Sequence, residues 1–434
     1  MNELPVGRRV AQWRVRRNMT QQQFADRLGK SKSWVDKVER GVRRLERVSN
    51  LREVAETLRI DVEVLLATRP LRPTPVAAGV DGIRTALARY HLRGTTRPPL
   101  VEELRARLDH AEQSYRHARY PALLALLPGL LDAAREAQAA HPGVTDALLA
   151  RVYALTALVL VKVDQGELAW LAADRAMAAA QATDAPQVAA VATVSLSQAL
   201  RSRGRRRSAL DAALVAADRL GAFRAGDDSP VVSSLRGTLL IQAALAAAGG
   251  KDHHGTRRAL DQATEIAGKL GADGNGAGGD SGTDGAGLGG AGFGGAGLGG
   301  AGFGGAGLGG AGLGGAGFGG VGFGRAVVEA GRVVAEAALG DVTTATARHE
   351  RLVAGEEWRW LPPEHRAAYL LDVARAYALA GDMLRAGRTL LDAQRAAHSE
   401  VHDRPAVRKL VAVVWRSADA PAGIVQLATT LGVA

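Results

Sequence analysis

Apolar residues recur at helical spacing along most of this chain, which predicts an all-α protein. Near the N-terminus, Phe24, Ala25 and Leu28 share one face of a short helix over Gln21 to Leu28, with Thr20 as its N-cap. Gly29 ends that helix where a left-handed residue is needed. Ser31 is a second N-cap, and Trp34, Val35 and Val38 stripe the next helix until Gly41 stops it. A preceding helix turns Val10 and Trp13 inward. A following one, capped by Ser49, carries Leu51, Val54, Ala55 and Leu58, and Val62, Leu65 and Leu66 close the unit. Five short helices in about 65 residues can just close a core. Two short helices joined by a tight glycine turn form an ordinary helical hairpin or a helix-turn-helix, which lays its second helix in a DNA major groove.

Thr68 to Ala78 contains three prolines and reads as a semi-rigid linker. Val80 to Leu92 reads as a short amphipathic helix, and Arg93 to Pro99 as a second break. From Leu100 the pattern becomes one of helical pairs. They are 100–116 with 120–139, 144–163 with 167–182, 186–203 with 205–220, 230–248 with 256–270, 325–339 with 342–353, and 363–380 with 383–397. The turns of most pairs are placed at Gly166-Glu167, Gly204, Gly249-Gly250, Gly340-Asp341 and Gly381-Asp382. Small residues recur on the second helices, as at Ala209, Ala212, Ala213 and Ala216, and let neighbouring helices approach closely. Stacked pairs bury a continuous core and present an elongated concave surface. Residues 404–416 and 422–431 are expected to cap the stack. The expected layout is thus a unit at 1–67, a linker with a short helix at 68–99, repeats at 100–272, and repeats with a C-terminal cap at 325–434.

Between the repeats, residues 273–324 are glycine-rich, and a five-residue unit AG(L/F)GG runs from Ala286 through Gly320, with a variant in VGFGR. An odd period puts Leu288, Phe293 and Leu298 on alternating faces of any strand, so no amphipathic sheet edge results. The segment reads as a disordered linker or loop, with self-association as the alternative.

Composition adds three points. There is no cysteine, which excludes disulfides, thiolate metal sites and cysteine nucleophiles, and fits a cytoplasmic setting. Neither a signal peptide nor an apolar run long enough to cross a bilayer is expected. Residues 1–70 hold 16 Lys and Arg against 9 Asp and Glu, so seven of the eleven excess positive charges fall there. A basic unit on a nearly balanced remainder points to a polyanion bound near the N-terminus.

Residues Gly7 to roughly Leu66 resemble the lambda-repressor-like (Cro/C1, or XRE) helix-turn-helix family. The resemblance rests on Trp13-Arg14, Thr20-Gln21, Phe24-Ala25, Leu28-Gly29, Ser31-Lys32-Ser33, Val35 and Glu39-Arg40-Gly41. The helical pairs loosely resemble the tetratricopeptide repeat, best at Leu200–Gly204–Ala209 and Tyr377–Gly381–Ala386. Through the stretches 168–176, 371–377 and 404–408, the whole layout resembles a group of long regulators of GC-rich bacteria that join this helix-turn-helix to a tetratricopeptide-like region. The resemblance implies double-stranded DNA as a partner, a homodimer on a pseudo-palindrome, and a peptide, small-molecule or protein effector on the repeats. It implies that Gln21 contacts a phosphate and that Lys32, Ser33 and Lys37 read bases. Ser31 doubles as a phosphate donor, and Arg40, Arg43 and Arg44 flank the backbone. Asp36 either accepts from cytosine or is a solvated acid. Trp34 packs on the core or faces the DNA sugar edge. Arg14 and Glu39 match the family's buried ion pair, a structural role.

Other constellations are weak. His253-His254 lacks companion ligands, so no metal or cofactor is expected. Glu356-Glu357 beside Trp358 and Trp360 reads as an exposed loop, and no nucleophile motif or P-loop occurs. The expected function is therefore a transcriptional regulator rather than an enzyme; the alternative is a protein-interaction scaffold with an auxiliary helix-turn-helix domain.

Overall fold

The computed structural model describes residues 6–43, 45, 48–62, 65, 74–89, 99–223, 229–276 and 323–433. Among the described residues every regular element is helical. The chain divides into two compact units, Met1–Thr74 and Pro75–Ala434.

In the first unit, α1 (Val6–Arg16), α2 (Gln21–Arg27), α3 (Lys32–Glu39) and α4 (Val48–Leu58) enclose one small core. Val10, Phe24, Ala25, Leu28, Val35, Leu51, Val54, Ala55, Leu58 and Leu65 form it, all buried. The helical stripes read from the sequence therefore converge. Val62 and Leu65 are helical, as expected of the fifth helix, whereas Leu66 lies outside the described residues. One cap differs: α4 begins at Val48, so Ser49 lies inside its first turn instead of capping it.

The second unit opens with α5 (Pro75–Ala88), which corrects the expected linker. Proline is tolerated in a first helical turn, where its missing N–H has no partner to lose. Val80, Ile83, Ala86 and Leu87 are buried, and a Cβ on Gly79 would stand 2.6 Å from Leu124 Cβ. This part of the expected spacer is therefore core.

The pairs follow nearly as expected. They are α6 (Val101–Arg116) with α7 (Tyr120–Ala140), α8 (Asp146–Lys162) with α9 (Gly166–Gln181), and α10 (Pro186–Ser202) with α11 (Arg206–Phe223). Next come α12 (Pro230–Gly249) with α13 (His253–Gly276), α14 (Arg325–Leu339) with α15 (Val342–Ala354), and α16 (Pro363–Leu379) with α17 (Met383–Ala396). A short α18 (His398–His402), α19 (Pro405–Trp415) and α20 (Ala422–Thr430) finish the unit. Residues 277–322, most of the glycine-rich segment, lie outside the described residues.

From α8 onward, first helices pack on first helices, and each second helix packs against the next pair. Buried alanines make this possible: Ala169, Ala172, Ala173 and Ala176 on α9, Ala209, Ala213 and Ala217 on α11, and Ala259, Ala263 and Ala267 on α13. Ala212 and Ala216 are only half-buried, so the contact stripe on α11 lies one position away from part of the expected one.

Two turns depart from the glycine rule. The left-handed residue after α8 is Asp164, φ 60°, and that after α12 is Lys251, φ 64°; Gly166 starts α9, and Gly250 has φ −85°. Gly204, Gly340 and Gly381 do take positive φ, as expected.

Helix α8 is enclosed by its neighbours: sixteen of its seventeen residues are buried. Lys162, at its end, is bonded to Glu364 at the start of α16 and to Glu400 on α18. Tyr120 donates its hydroxyl to Glu400, and Arg404 binds the other oxygen of that carboxylate at 2.5 Å. The last helices thus return to the first ones through buried charge.

Helix α12 is long and apolar enough to cross a membrane by length and composition alone, contrary to the expectation of no such run. With 78% of its apolar window buried against neighbouring helices, it reads as a core helix.

Candidate nucleic-acid interface

Local sequence fixes α2 and α3. Thr20 accepts from the Gln23 amide at 3.2 Å, and Gln23 Oε1 accepts from the Thr20 amide at 2.9 Å, a reciprocal capping box. Gly29, at φ 60°, reverses the chain after α2, and the Ser31 hydroxyl accepts from the Trp34 amide at 3.2 Å. Gly41, at φ 77°, turns the chain away after α3.

The buried side of α3 is Val35 and Val38. On its other side Lys32, Ser33, Lys37 and Arg40 are exposed and Asp36 is half-buried. Positions 33, 36, 37 and 40 follow the three- and four-residue steps that align side chains on one helix face. Arg40 Nη1 lies 3.4 Å from Asp36 Oδ2, so the one acidic member of this face is paired with a basic one. Ser31 is exposed at the N-terminus of the helix.

Arg43 is exposed, and its guanidinium lies 5.9 Å from the Trp34 ring centroid. Trp34 is half-buried and packs against the edge of the core. Arg44 lies outside the described residues.

A charged clasp holds α3 against α1. Arg14 donates Nε to Glu39 Oε1 at 2.6 Å and Nη2 to Oε2 at 3.0 Å, and its Nη1 reaches the Met19 carbonyl at 2.7 Å. Gln21 adds its side-chain amide to Glu39 Oε2 at 2.9 Å. Gln21 is therefore a third member of the Arg14–Glu39 clasp.

Sequence reasoning missed several participants. A Cβ on Gly7 would come 1.9 Å from the Val38 carbonyl oxygen, so α1 crosses α3 where only glycine fits. Arg9 donates to the Leu65 carbonyl at 2.9 Å, and Arg17 donates to the Leu58 and Arg59 carbonyls at 3.1 Å each. With Arg14, these arginines tie elements of the unit together, so part of its basic charge also serves the fold. A basic residue near a glycine-tight crossing is no sequence signal by itself. Lys32, Lys37, Arg40 and Arg43, on α3 and the turn after it, are exposed, as are Arg8, Arg16, Arg27 and Lys30 elsewhere in the unit.

Comparison with known proteins agrees on this unit. Residues 5–67 match the model of a helix-turn-helix domain. No curated protein matches the chain. Among solved structures it is similar to Bacillus thuringiensis PlcR in complex with the peptide PapR7 and DNA, at 12% identity and TM-score 0.32, covering 62% of this chain and 98% of that one. It is also similar to the SHP pheromone receptor Rgg2 of Streptococcus dysgalactiae, at 13% identity and TM-score 0.20, covering 63% and 96%. ComR from Streptococcus suis follows at 15% identity and TM-score 0.18, covering 63% and 96%. At such TM-scores the likeness places no element or ligand of this chain. What the caps, the glycine turn and the family match establish together is that residues 5–67 are an XRE-like helix-turn-helix domain.

Proposed function

We propose that this chain is a sequence-specific DNA-binding regulator of transcription. The observation that carries this reading is the division of α3: Val35 and Val38 are sunk in the core, while Lys32, Ser33, Lys37 and Arg40 stand clear of it. A helix with one face anchored and the other basic and short-chained suits a major groove. In this reading Lys32, Ser33 and Lys37 meet base edges, Asp36 accepts from cytosine, and Ser31 donates to a phosphate. Arg40, Arg43 and Arg44 lie along the backbone, where contacts position rather than specify. Gln21 reaches a phosphate only by sharing or leaving its bond to Glu39.

The repeat unit supplies dimerisation and a sensor surface for a peptide, small molecule or protein. Two bound copies would place their α3 helices one DNA turn apart on a pseudo-palindrome. The test is in vitro selection of DNA by the full-length protein. Recovery of a palindromic motif, weakened by Lys32→Ala and Lys37→Ala, supports the proposal. No enriched motif, or equal binding by both variants, overturns it.

A further inference from the structure

Arg201, near the end of α10, is a cation with little to bind. Its Nη2 donates to Gln242 Oε1 on α12 at 2.7 Å. Its Nε and Nη1 are covered and meet no hydrogen-bond partner among the described residues. A guanidinium keeps its charge in a protein and carries five N–H donors, so idle nitrogens out of water are costly. Gln198 lies one turn earlier on the same face of α10. It is 2% exposed, and neither its Nε2 nor its Oε1 has a partner among the described residues. Buried polar groups are normally paired, and here two unsatisfied ones sit side by side.

The charge around them is unbalanced. Asp372 on α16 acts on Arg201 electrostatically, but no ion pair joins the two among the described residues. Arg375 takes Asp372 Oδ1 at 3.2 Å instead. Asp372 is linked in turn to Lys162, Arg404 and Glu400, and Lys162 to Glu364. This connected set sets Lys162, Arg201, Arg375 and Arg404 against Glu364, Glu400 and Asp372. With every carboxyl ionised it is still one negative charge short, and the cation with idle donors is Arg201. Burial lowers Arg201 to about 10, so it stays charged at neutral pH.

We propose that Arg201 and Gln198 form the binding site of a carboxylate-bearing ligand. The carboxylate oxygens accept from the guanidinium and from Gln198 Nε2, and the single charge completes the balance. Hydrogen bonds between guanidinium and carboxylate are about twice as strong as neutral ones, and the shapes match. A small acid and the C-terminus of a peptide share this chemistry. As the chemistry of an effector for the repeat unit, the site rests on the regulator reading; its binding is measured without DNA, so its failure leaves the DNA selection to judge that reading alone.

The test is the melting temperature of the full-length protein at constant ionic strength. The probes are propionate, tri-alanine, the amide of each, and inorganic phosphate. The free carboxylates should raise the melting temperature by about 2 °C or more at saturation, and the amides should not. The larger rise identifies the source as small acid or peptide terminus. Arg201→Met should abolish the rise, and Gln198→Leu should weaken binding about tenfold. If Arg201→Met does not fold, Gln198→Leu, which removes a donor but no charge, carries the same reading. No rise with either carboxylate, an equal rise with the amides, or a rise that survives the substitution overturns the proposal. A larger rise with phosphate overturns it in favour of a different anion.

Discussion

Lys162 Nζ lies 2.5 Å from Glu400 Oε1, although 238 residues separate them. Both side chains are fully buried. The same ammonium is bonded to Glu364, so one cation ties α8 to both α16 and α18. Burial pushes the Glu364 carboxyl up. Burial acts on Glu400 in the same direction, but Lys162 and Arg404 outweigh it and hold that carboxyl below its ordinary value. The pair therefore shares the cation unequally, with Glu400 the ionised partner.

Lys162→Met should destabilise the second unit by about 3–5 kcal/mol, because it leaves the buried Glu364 without its cation and Glu400 with Arg404 alone. Urea unfolding followed by circular dichroism checks this. Adding Glu364→Leu to Lys162→Met should recover part of the loss, since well-packed apolar residues can replace a buried pair. A loss under about 1 kcal/mol for the single variant would show that water reaches the site.

Acid should weaken the second unit through two histidines. Burial lowers His349 to about 4 and His365 to about 3, the latter with help from Lys162. The unfolded chain takes up these protons near pH 6.5, where the native state refuses them. Their contribution is therefore present above pH 6.5 and is lost as pH falls toward 4 and then 3. Glu112 works the other way: burial raises it to about 7, so its contribution is lost as pH rises from 4.5 to that value. Comparing wild type with His349→Phe over pH 4 to 6.5 isolates one histidine. The variant's urea midpoint should fall less steeply with acid; an unchanged slope would assign the acid sensitivity elsewhere.

Gly7→Ala should be among the most damaging single-methyl changes in the first unit. The added carbon would meet the Val38 carbonyl, a backbone atom that cannot swing aside. Either α1 lifts from α3 or α3 shifts, at a cost of about 1–3 kcal/mol. Amide hydrogen exchange over residues 6–43 reads the loss directly, and protection equal to wild type would show that the crossing has slack.

The parts of this architecture visible in sequence are those set by local periodicity and caps. Thr20, Ser31, Gly29 and Gly41 act through neighbours within a few residues, so their roles in α2 and α3 could be read directly. The helical pairs were legible for the same reason, and their bounds moved by only a few residues. What stayed hidden depends on tertiary approach. Nothing near Lys162 in sequence marks Glu364 and Glu400 as its partners. Pro75 reads as a breaker until α7 is seen to cover Ile83 and Leu87. The resemblance offers Gln21 as a phosphate contact, and its bond to Glu39 appears only in the fold. In the candidate interface, the exposed basic face of α3 follows from periodicity alone, whereas the arginines bonded inside the unit do not.

Glu39→Gln should uncouple α3 from α1. The carboxylate accepts from two Arg14 nitrogens and from Gln21, and is almost buried. An amide replaces one acceptor with a donor facing a cation, so the variant should lose about 3 kcal/mol. Hydrogen exchange in α1 and α3 checks it, and exchange unchanged in both helices would make the clasp dispensable.

The DNA-facing side of α3 should separate charge from reading. Lys37 is exposed, whereas Asp36 is held by Arg40. If Lys37 touches a phosphate, Lys37→Ala weakens all sequences alike and lowers the salt slope of binding by about 1. If it meets a base edge, the loss is about 1–3 kcal/mol and is confined to sites bearing that base. Asp36→Asn should act oppositely on the two terms. Removing the carboxylate frees Arg40 and raises affinity for non-specific DNA, while any preference resting on a cytosine amine relaxes. Titrations of selected and random duplexes at several salt concentrations separate these effects. Lower non-specific affinity for Asp36→Asn would show that this face of α3 does not lie against DNA.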